Sequence, residues 1–257
     1  MIDGKALIDT HCHLNFPPLS GDTGGVLDRA AAAGVTQVVV PAYDRASWEP
    51  VAALAAEGTN VFAALGIHPW LAHEEDATGL ADAVATHRPI AVGEIGLDTK
   101  ITTSGLDQQL PLLEAQLALA ADLDLPVILH CRGAFEELLA AVQNHAGRLR
   151  GVLHAYSRGP ELADRFMKAG LHIALGGAVT RDRARRVRRT AARLPLDRLL
   201  LETDAPGIGL DGVLTEDTEP RHVAYVARAV AEMRGETVAV VAERSSANAR
   251  ALFDLPV

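Results

Sequence analysis

The residues of this chain best suited to chemistry stand in small groups, each closing an apolar run. Asp9-Thr10-His11-Cys12-His13 follows Ala6-Leu7-Ile8. Side chains alternate along an extended strand, so His11 and His13 project to one side and Cys12 to the other. Imidazole is neutral near pH 7 and is the commonest protein ligand of transition metals, so a His-x-His pair at a strand end is the minimal start of a metal site. Alone, the pair is better read as two ordinary strand-end histidines bonded to backbone, so the metal reading depends on further donors. Further donors close later apolar runs: His68, Glu94, His130, His154 and Asp204. Burying a carboxylate without a partner is costly, so Glu94, next to Gly93 at the end of Ile90-Ala91-Val92, calls for a cation beside it.

Four histidines (His11, His13, His130, His154), Asp204 and Glu94 are too many donors for one tetrahedral ion with an open position. They suit two divalent ions that share a carboxylate and a water, the arrangement used for in-line displacement at phosphorus. Mixed imidazole and carboxylate donors favour Zn or Mn over Mg by softness. In Leu201-Glu202-Thr203-Asp204, alternation puts Glu202 and Asp204 on one face and Thr203 on the other. Asp204 is assigned as ligand and general base, with Glu202 one layer deeper and orienting it. Lys5, Lys100 and Lys168 all lie outside the expected strands, so no carboxylated lysine can bridge the ions and Glu94 is the bridging candidate.

Short β-rich runs alternate with helical periodicity along the whole chain. The expected strands are 6–8, 35–40, 61–67, 90–94, 126–130, 151–154, 171–175 and 199–204. The expected helices are 26–33, 45–57 (stopped by Gly58), 79–87, 106–123, 134–145, 161–169, 183–193, 220–233 and 237–253. Eight strand-then-helix units without a composition break predict a single domain over residues 1–257, an α/β fold of the (β/α)8 TIM-barrel type. The rival, an open doubly wound sheet, would carry a Gly-rich turn after strand one, where this chain has Leu14-Asn15-Phe16-Pro17-Pro18. In a closed barrel the C-terminal strand ends converge on one face, so donors on six of eight ends share one site.

These motifs together resemble the TatD family of metal-dependent deoxyribonucleases and hydrolases. Ile8-Asp9-Thr10-His11-Cys12-His13-Leu14, Gly66-Ile67-His68-Pro69, Gly93-Glu94-Ile95-Gly96-Leu97-Asp98, Leu125-Pro126-Val127-Ile128-Leu129-His130 and Leu201-Glu202-Thr203-Asp204-Ala205-Pro206 occur in the family's order. The stretch Asn15 to Asp22 is most similar to the YjjV-type branch. The resemblance implies a two-metal TIM barrel that cleaves DNA phosphodiesters as a 3′-to-5′ exonuclease. It implies one metal on His11, His13, Glu94 and Asp204, and another on Glu94, His130 and His154. It also implies that His68 contacts the substrate phosphate, and that Arg132 and Tyr156-Ser157 line the pocket. Thr99 to Gly105, Gly133 and Thr218-Glu219-Pro220 depart from the family's pattern in substrate-facing loops and leave the ligands whole.

A net charge of −9 excludes a general basic surface for coating nucleic acid, so a nucleic-acid substrate has to be held locally. Seven arginines crowd Arg181 to Arg193, and their spacing reads as a solvated barrel helix with Arg181 and Arg183 nearest the strand end. Cys12 and Cys131 read as packing residues without a disulfide framework. The start, Met1 to Lys5, has no apolar run behind it, and no segment has the length of a membrane span. A cytoplasmic monomer acting on DNA or another phosphodiester, with no membrane partner, is expected. Two alternatives stay open: hydrolysis of a small phosphoester, ester or amide, and a non-catalytic barrel that binds nucleic acid or a partner.

Overall fold

The computed structural model describes residues 4–57 and 60–257. Gly58, expected to stop the second helix, lies outside the described residues, as does the Met1–Asp3 start. The strands are β1 (Leu7–Asp9), β2 (Val35–Pro41), β3 (Val61–Leu65), β4 (Ala91–Asp98), β5 (Val127–Arg132), β6 (Gly151–Leu153), β7 (Leu171–Leu175) and β8 (Leu199–Leu201). They alternate with α1 (Thr23–Ala32), α2 (Trp48–Glu57), α3 (Leu80–His87), α4 (Leu106–Asp122), α5 (Phe135–Asn144), α6 (Pro160–Lys168) and α7 (Arg185–Arg193), before α8 (Val223–Arg234) and α9 (Val238–Phe253). Local signals set several of these boundaries. The Asp22 carboxylate accepts from Gly25 N to cap α1, and Thr237 accepts from Val240 N to cap α9. Gly235, at φ 65°, ends α8 in the left-handed conformation that glycine adopts freely.

The chain forms two compact units. One runs to Val40 and takes up again at His154–Met167 and His172–Val257. In it β1 pairs in parallel with β2, Leu7 opposite Val35, and β7 with β8, Ile173 opposite Leu199. The first and last strands meet in the same unit: Thr10 N donates to Leu201 O at 3.1 Å, Asp204 N to His11 O at 2.8 Å and His13 N to Ala205 O at 2.7 Å. Its strand order is therefore β7-β8-β1-β2. The second unit, Pro41–Leu153 with Lys168–Leu171, holds β3-β4-β5-β6 in parallel order. All eight residues of β4 are buried, and the strands are nearly continuous Val, Ile, Leu and Ala, as parallel strands covered on both faces require.

Two boundaries differ from expectation in ways that matter for the site. β4 continues four residues beyond Glu94, because Gly96, Leu97 and Asp98 pair with His130, Cys131 and Arg132 of β5. The Gln109 side chain ties off the end of that extension, accepting from Asp98 N at 2.7 Å and donating to Asp98 O at 2.9 Å. β8 stops at Leu201, three residues early, because the backbone beyond it turns to the end of β1 and Asp204 takes φ 55°. Asp tolerates that region better than most residues. The arginine-rich helix also starts later, at Arg185, after a 3-10 turn over Gly177–Thr180. No helix among the described residues is long and apolar enough to cross a membrane.

Candidate active site

The first unit gathers His11, His13, His154, Glu202 and Asp204. His11 Nε2 lies 3.2 Å from His13 Nε2, and Asp204 Oδ1 lies 3.6 Å from the first and 3.4 Å from the second. An ion bound tetrahedrally at 2.0–2.1 Å separates its donors by about 3.4 Å, so these three atoms already have the edge lengths of one coordination face. The same unit stacks His154 on His11, with ring centroids 3.9 Å apart and planes 10° from parallel. His154 Nδ1 is 3.7 Å from Glu202 Oε1, which itself accepts from Ala155 N. The other oxygen, Glu202 Oε2, is buried with no hydrogen-bond partner among the described residues. A buried carboxylate oxygen in that state is costly, and a cation would relieve it.

Asp9 holds this arrangement from behind. One of its oxygens accepts from Thr203 N at 2.9 Å and from His11 N at 3.3 Å, and the other accepts from Thr203 Oγ1 at 2.6 Å. It thereby fixes the backbone of one residue just before Asp204 and of the histidine that faces it. Burial pushes the Asp9 carboxyl well above its ordinary range, partly offset by these bonds. Burial also acts to raise Asp204, but the neighbouring His13, His11 and His154 outweigh it and hold that carboxyl below its ordinary value.

The second unit gathers His68, Glu94 and His130, whose donor atoms lie within 4.8 Å of one another. Glu94 Oε1 is 3.5 Å from His68 Nε2 and 3.0 Å from His130 Nδ1. The far nitrogen of His130, Nε2, is 3.1 Å from Asp98 Oδ2, which also accepts from Trp70 Nε1 at 2.8 Å. Glu94 and Asp98 thus flank one imidazole, and Gly96 between them allows it. At φ 150°, a Cβ on Gly96 would run into the His130 carbonyl. Burial alone would raise Asp98, yet bonds from His130, Trp70 and Lys100 N bring it down to about 2.

That depression gives a prediction for the metal-free protein. The unfolded chain takes up the Asp98 proton near pH 4 and the folded chain only near 2, so the stabilisation is complete above about pH 4 and fades as pH falls toward 2. Asp98→Asn should therefore lower unfolding free energy by about 2 kcal/mol at pH 6. The gap should narrow below pH 4, as read from urea midpoints in the presence of chelator. Equal midpoints at pH 6 would refute the assignment.

Both donor groups have the chemistry of a divalent-cation site, imidazole nitrogen with carboxylate oxygen in buried surroundings. Of the other residues expected near the site, Arg132 ends β5 with its side chain exposed. Tyr156 is buried and donates its hydroxyl to Gly159 O at 2.6 Å within its own loop. Cys12 is buried, its Sγ 3.6 Å from Ala205 O. Sequence reasoning overlooked Asp9, Asp98 and Trp70. The signal for Asp98 was present: continuing the alternation of β4 past Glu94 puts Glu94, Gly96 and Asp98 on one face. Asp9 likewise stands opposite Thr203, the one residue of the Glu202–Asp204 stretch expected to point the other way.

Residues 8–254 match the family described as TatD related DNase. The chain belongs to the TatD family. A relative named "Uncharacterized metal-dependent hydrolase YjjV", from Escherichia coli (strain K12), is 39% identical over 97% of this chain and 98% of its own length. A relative named "3'-5' ssDNA/RNA exonuclease TatD", from Erwinia amylovora, is 31% identical over 97% of this chain and 100% of its own. The crystal structure of the E. coli K12 YjjV superposes with a TM-score of 0.93, covering 97% of this chain and 98% of that one. The fold is thus the family's (β/α)8 TIM barrel, and the meeting of β1 with β8 is the closure such a barrel needs. This TatD-family chain is a metal-dependent hydrolase.

Proposed function

We propose that this TatD-family hydrolase is a deoxyribonuclease, cleaving DNA phosphodiesters in the manner of a 3′-to-5′ exonuclease with two divalent ions. The observation that carries the reading is the triangle of His11 Nε2, His13 Nε2 and Asp204 Oδ1 with edges of 3.2, 3.4 and 3.6 Å. It is supported by a second donor set, Glu94, His130 and His68, in the other unit. His11, His13 and Asp204 would hold one ion. Glu94 and His130 would hold the second. When bound, such ions lower the pKa of a water and neutralise charge on a phosphoryl oxygen.

The chain's own residues do the rest. Asp204, ionised beside three imidazoles, takes the proton from the attacking water at its carboxylate oxygen. Glu202, buried beneath, keeps His154 in place. Asp98 fixes the orientation of His130. His68, whose Nδ1 accepts from Trp70 N at 3.3 Å, has its ring direction set and presents Nε2 on the Glu94 side, where it would meet a phosphate oxygen. Arg132, exposed at the end of β5, would pair with a phosphate. The name of the exonuclease relative supports nucleic acid as the substrate.

The test is a panel of single-stranded DNA, duplex DNA, chromogenic phosphodiesters and carboxyl esters, with metal content measured and Mg, Mn and Zn supplied in turn. Shortening of DNA from its 3′ end is expected. A folded, metal-loaded protein that leaves all DNA intact would end the nuclease reading, and turnover of carboxyl esters instead would establish the rival. Histidine ligands must be neutral to bind, so activity should fall below about pH 6 as imidazoles protonate. A flat rate profile from pH 5 to 8 would count against histidine ligation.

A further inference from the structure

The chain carries a net charge of −9, yet the thirteen residues from Arg181 to Arg193 hold seven arginines and one aspartate. The structure separates these arginines into two sets. Arg181, Arg188 and Arg189 are engaged within the fold: Arg181 Nη2 donates to Gly209 O at 2.6 Å, Arg188 to Val179 O at 3.2 Å, and Arg189 lies 3.9 Å from Glu161. Four are exposed with no hydrogen bond or ion pair among the described residues: Arg193, at the C-terminal end of α7 and outside the cleft described next, and Arg183, Arg185 and Arg186. The last three line one cleft of about 290 Å³, together with Ser157 and with Val187 beneath.

Such an arrangement is unfavourable by itself. Three like charges share a small cavity with no carboxylate lining it, and Arg185 and Arg186 stand in the first turn of α7, where cations oppose the helix dipole. Arginine on the core-averted side of a helix for solubility alone is usually laced with acids, and here Asp182 already pairs with Arg188. The position is also informative. Ser157 follows His154 by three residues in the loop after β6, and Arg183 lies in the connection after β7. The cleft is thus built from strand-end connections of the same unit that carries His11, His13, His154 and Asp204.

We propose that this cleft binds internucleotide phosphates of a polynucleotide strand beyond the bond being cleaved. The inference rests on the phosphodiesterase reading above and adds where the strand is held. Guanidinium forks match phosphate oxygens in pairs, and contacts of this kind fix position without reading sequence. They also explain how a strongly acidic protein could hold a polyanion, through one local cationic cleft.

The test compares the full chain with the triple variant Arg183→Gln, Arg185→Gln, Arg186→Gln and with a charge-matched control, Arg193→Gln, Arg228→Gln, Arg244→Gln. Fluorescence anisotropy of a labelled twelve-nucleotide single strand, in chelator so that the strand survives, reads binding without turnover. The cleft variant should raise Kd roughly 10- to 100-fold and reduce the slope of log K against log salt by about 2, three phosphate contacts at about 0.7 each. The control should bind as wild type. With metal restored, the gain in kcat/KM from dinucleotide to twelve-mer should shrink in the cleft variant alone. Equal affinity and equal salt slope in wild type and cleft variant would overturn the proposal, as would an equal loss in the control. A strand that binds only when it carries a 5′-phosphate would assign the cleft to a terminal phosphate and overturn the internucleotide assignment. These outcomes are separable from failure of the nuclease reading, in which wild type itself leaves every strand uncut.

Discussion

Asp204→Asn should lower kcat on DNA by on the order of 10²- to 10⁴-fold, the usual contribution of a positioned general base, while the barrel stays folded. The substitution keeps shape and removes charge and proton affinity. Asn also offers a neutral oxygen or an NH2 toward His11 and His13 where a carboxylate now stands 3.6 and 3.4 Å from their Nε2 atoms. One ligand is weakened and the proton acceptor is lost together, so the fall should appear in kcat and persist at saturating metal. Glu202→Gln, which disturbs only the group behind His154, should cost less in kcat and more in metal affinity. Steady-state kinetics across a metal titration, with circular dichroism as the folding control, checks both. An Asp204→Asn enzyme within tenfold of wild type would remove Asp204 from the proton transfer.

Chelation is the second large effect. Removing divalent ions should abolish hydrolysis and lower the melting temperature by roughly 10 °C, if the ions sit near a thousandfold above their dissociation constants and contribute about 4 kcal/mol. The physical reason lies in the donors themselves. Without a cation, the His11 and His13 nitrogens face each other at 3.2 Å, and Glu202 keeps a buried oxygen with no hydrogen-bond partner among the described residues. Re-addition should restore both properties, and elemental analysis should find up to two ions per chain. Unchanged melting in excess chelator, with elemental analysis confirming metal-free protein, would mean that these clusters do not hold metal. A return of activity with a single equivalent would limit the centre to one ion.

Much of this molecule is written in its local sequence. Apolar runs separated by helical periods fix eight strands and their order along the chain, because period and β-branching act within a few residues of each position. The same runs single out His11, His13, His68, Glu94, His130, His154 and Asp204, since a polar residue closing an apolar run is visible without tertiary knowledge, although Glu94 and His130 prove to lie inside β4 and β5. Tertiary structure alone decided where the ends fall and what stands behind the donors. β4 reaches Asp98 because β5 and Gln109 offer partners to a backbone that looks like loop when read alone. β8 ends at Leu201 because the next residues bond to the end of β1, about 190 positions earlier. Asp9 and Asp98 became positioning residues, and Arg183, Arg185 and Arg186 were set apart from their neighbours, for the same reason. Which hydrogen-bond and charge partners a side chain finds depends on packing between distant segments, and no local pattern encodes that.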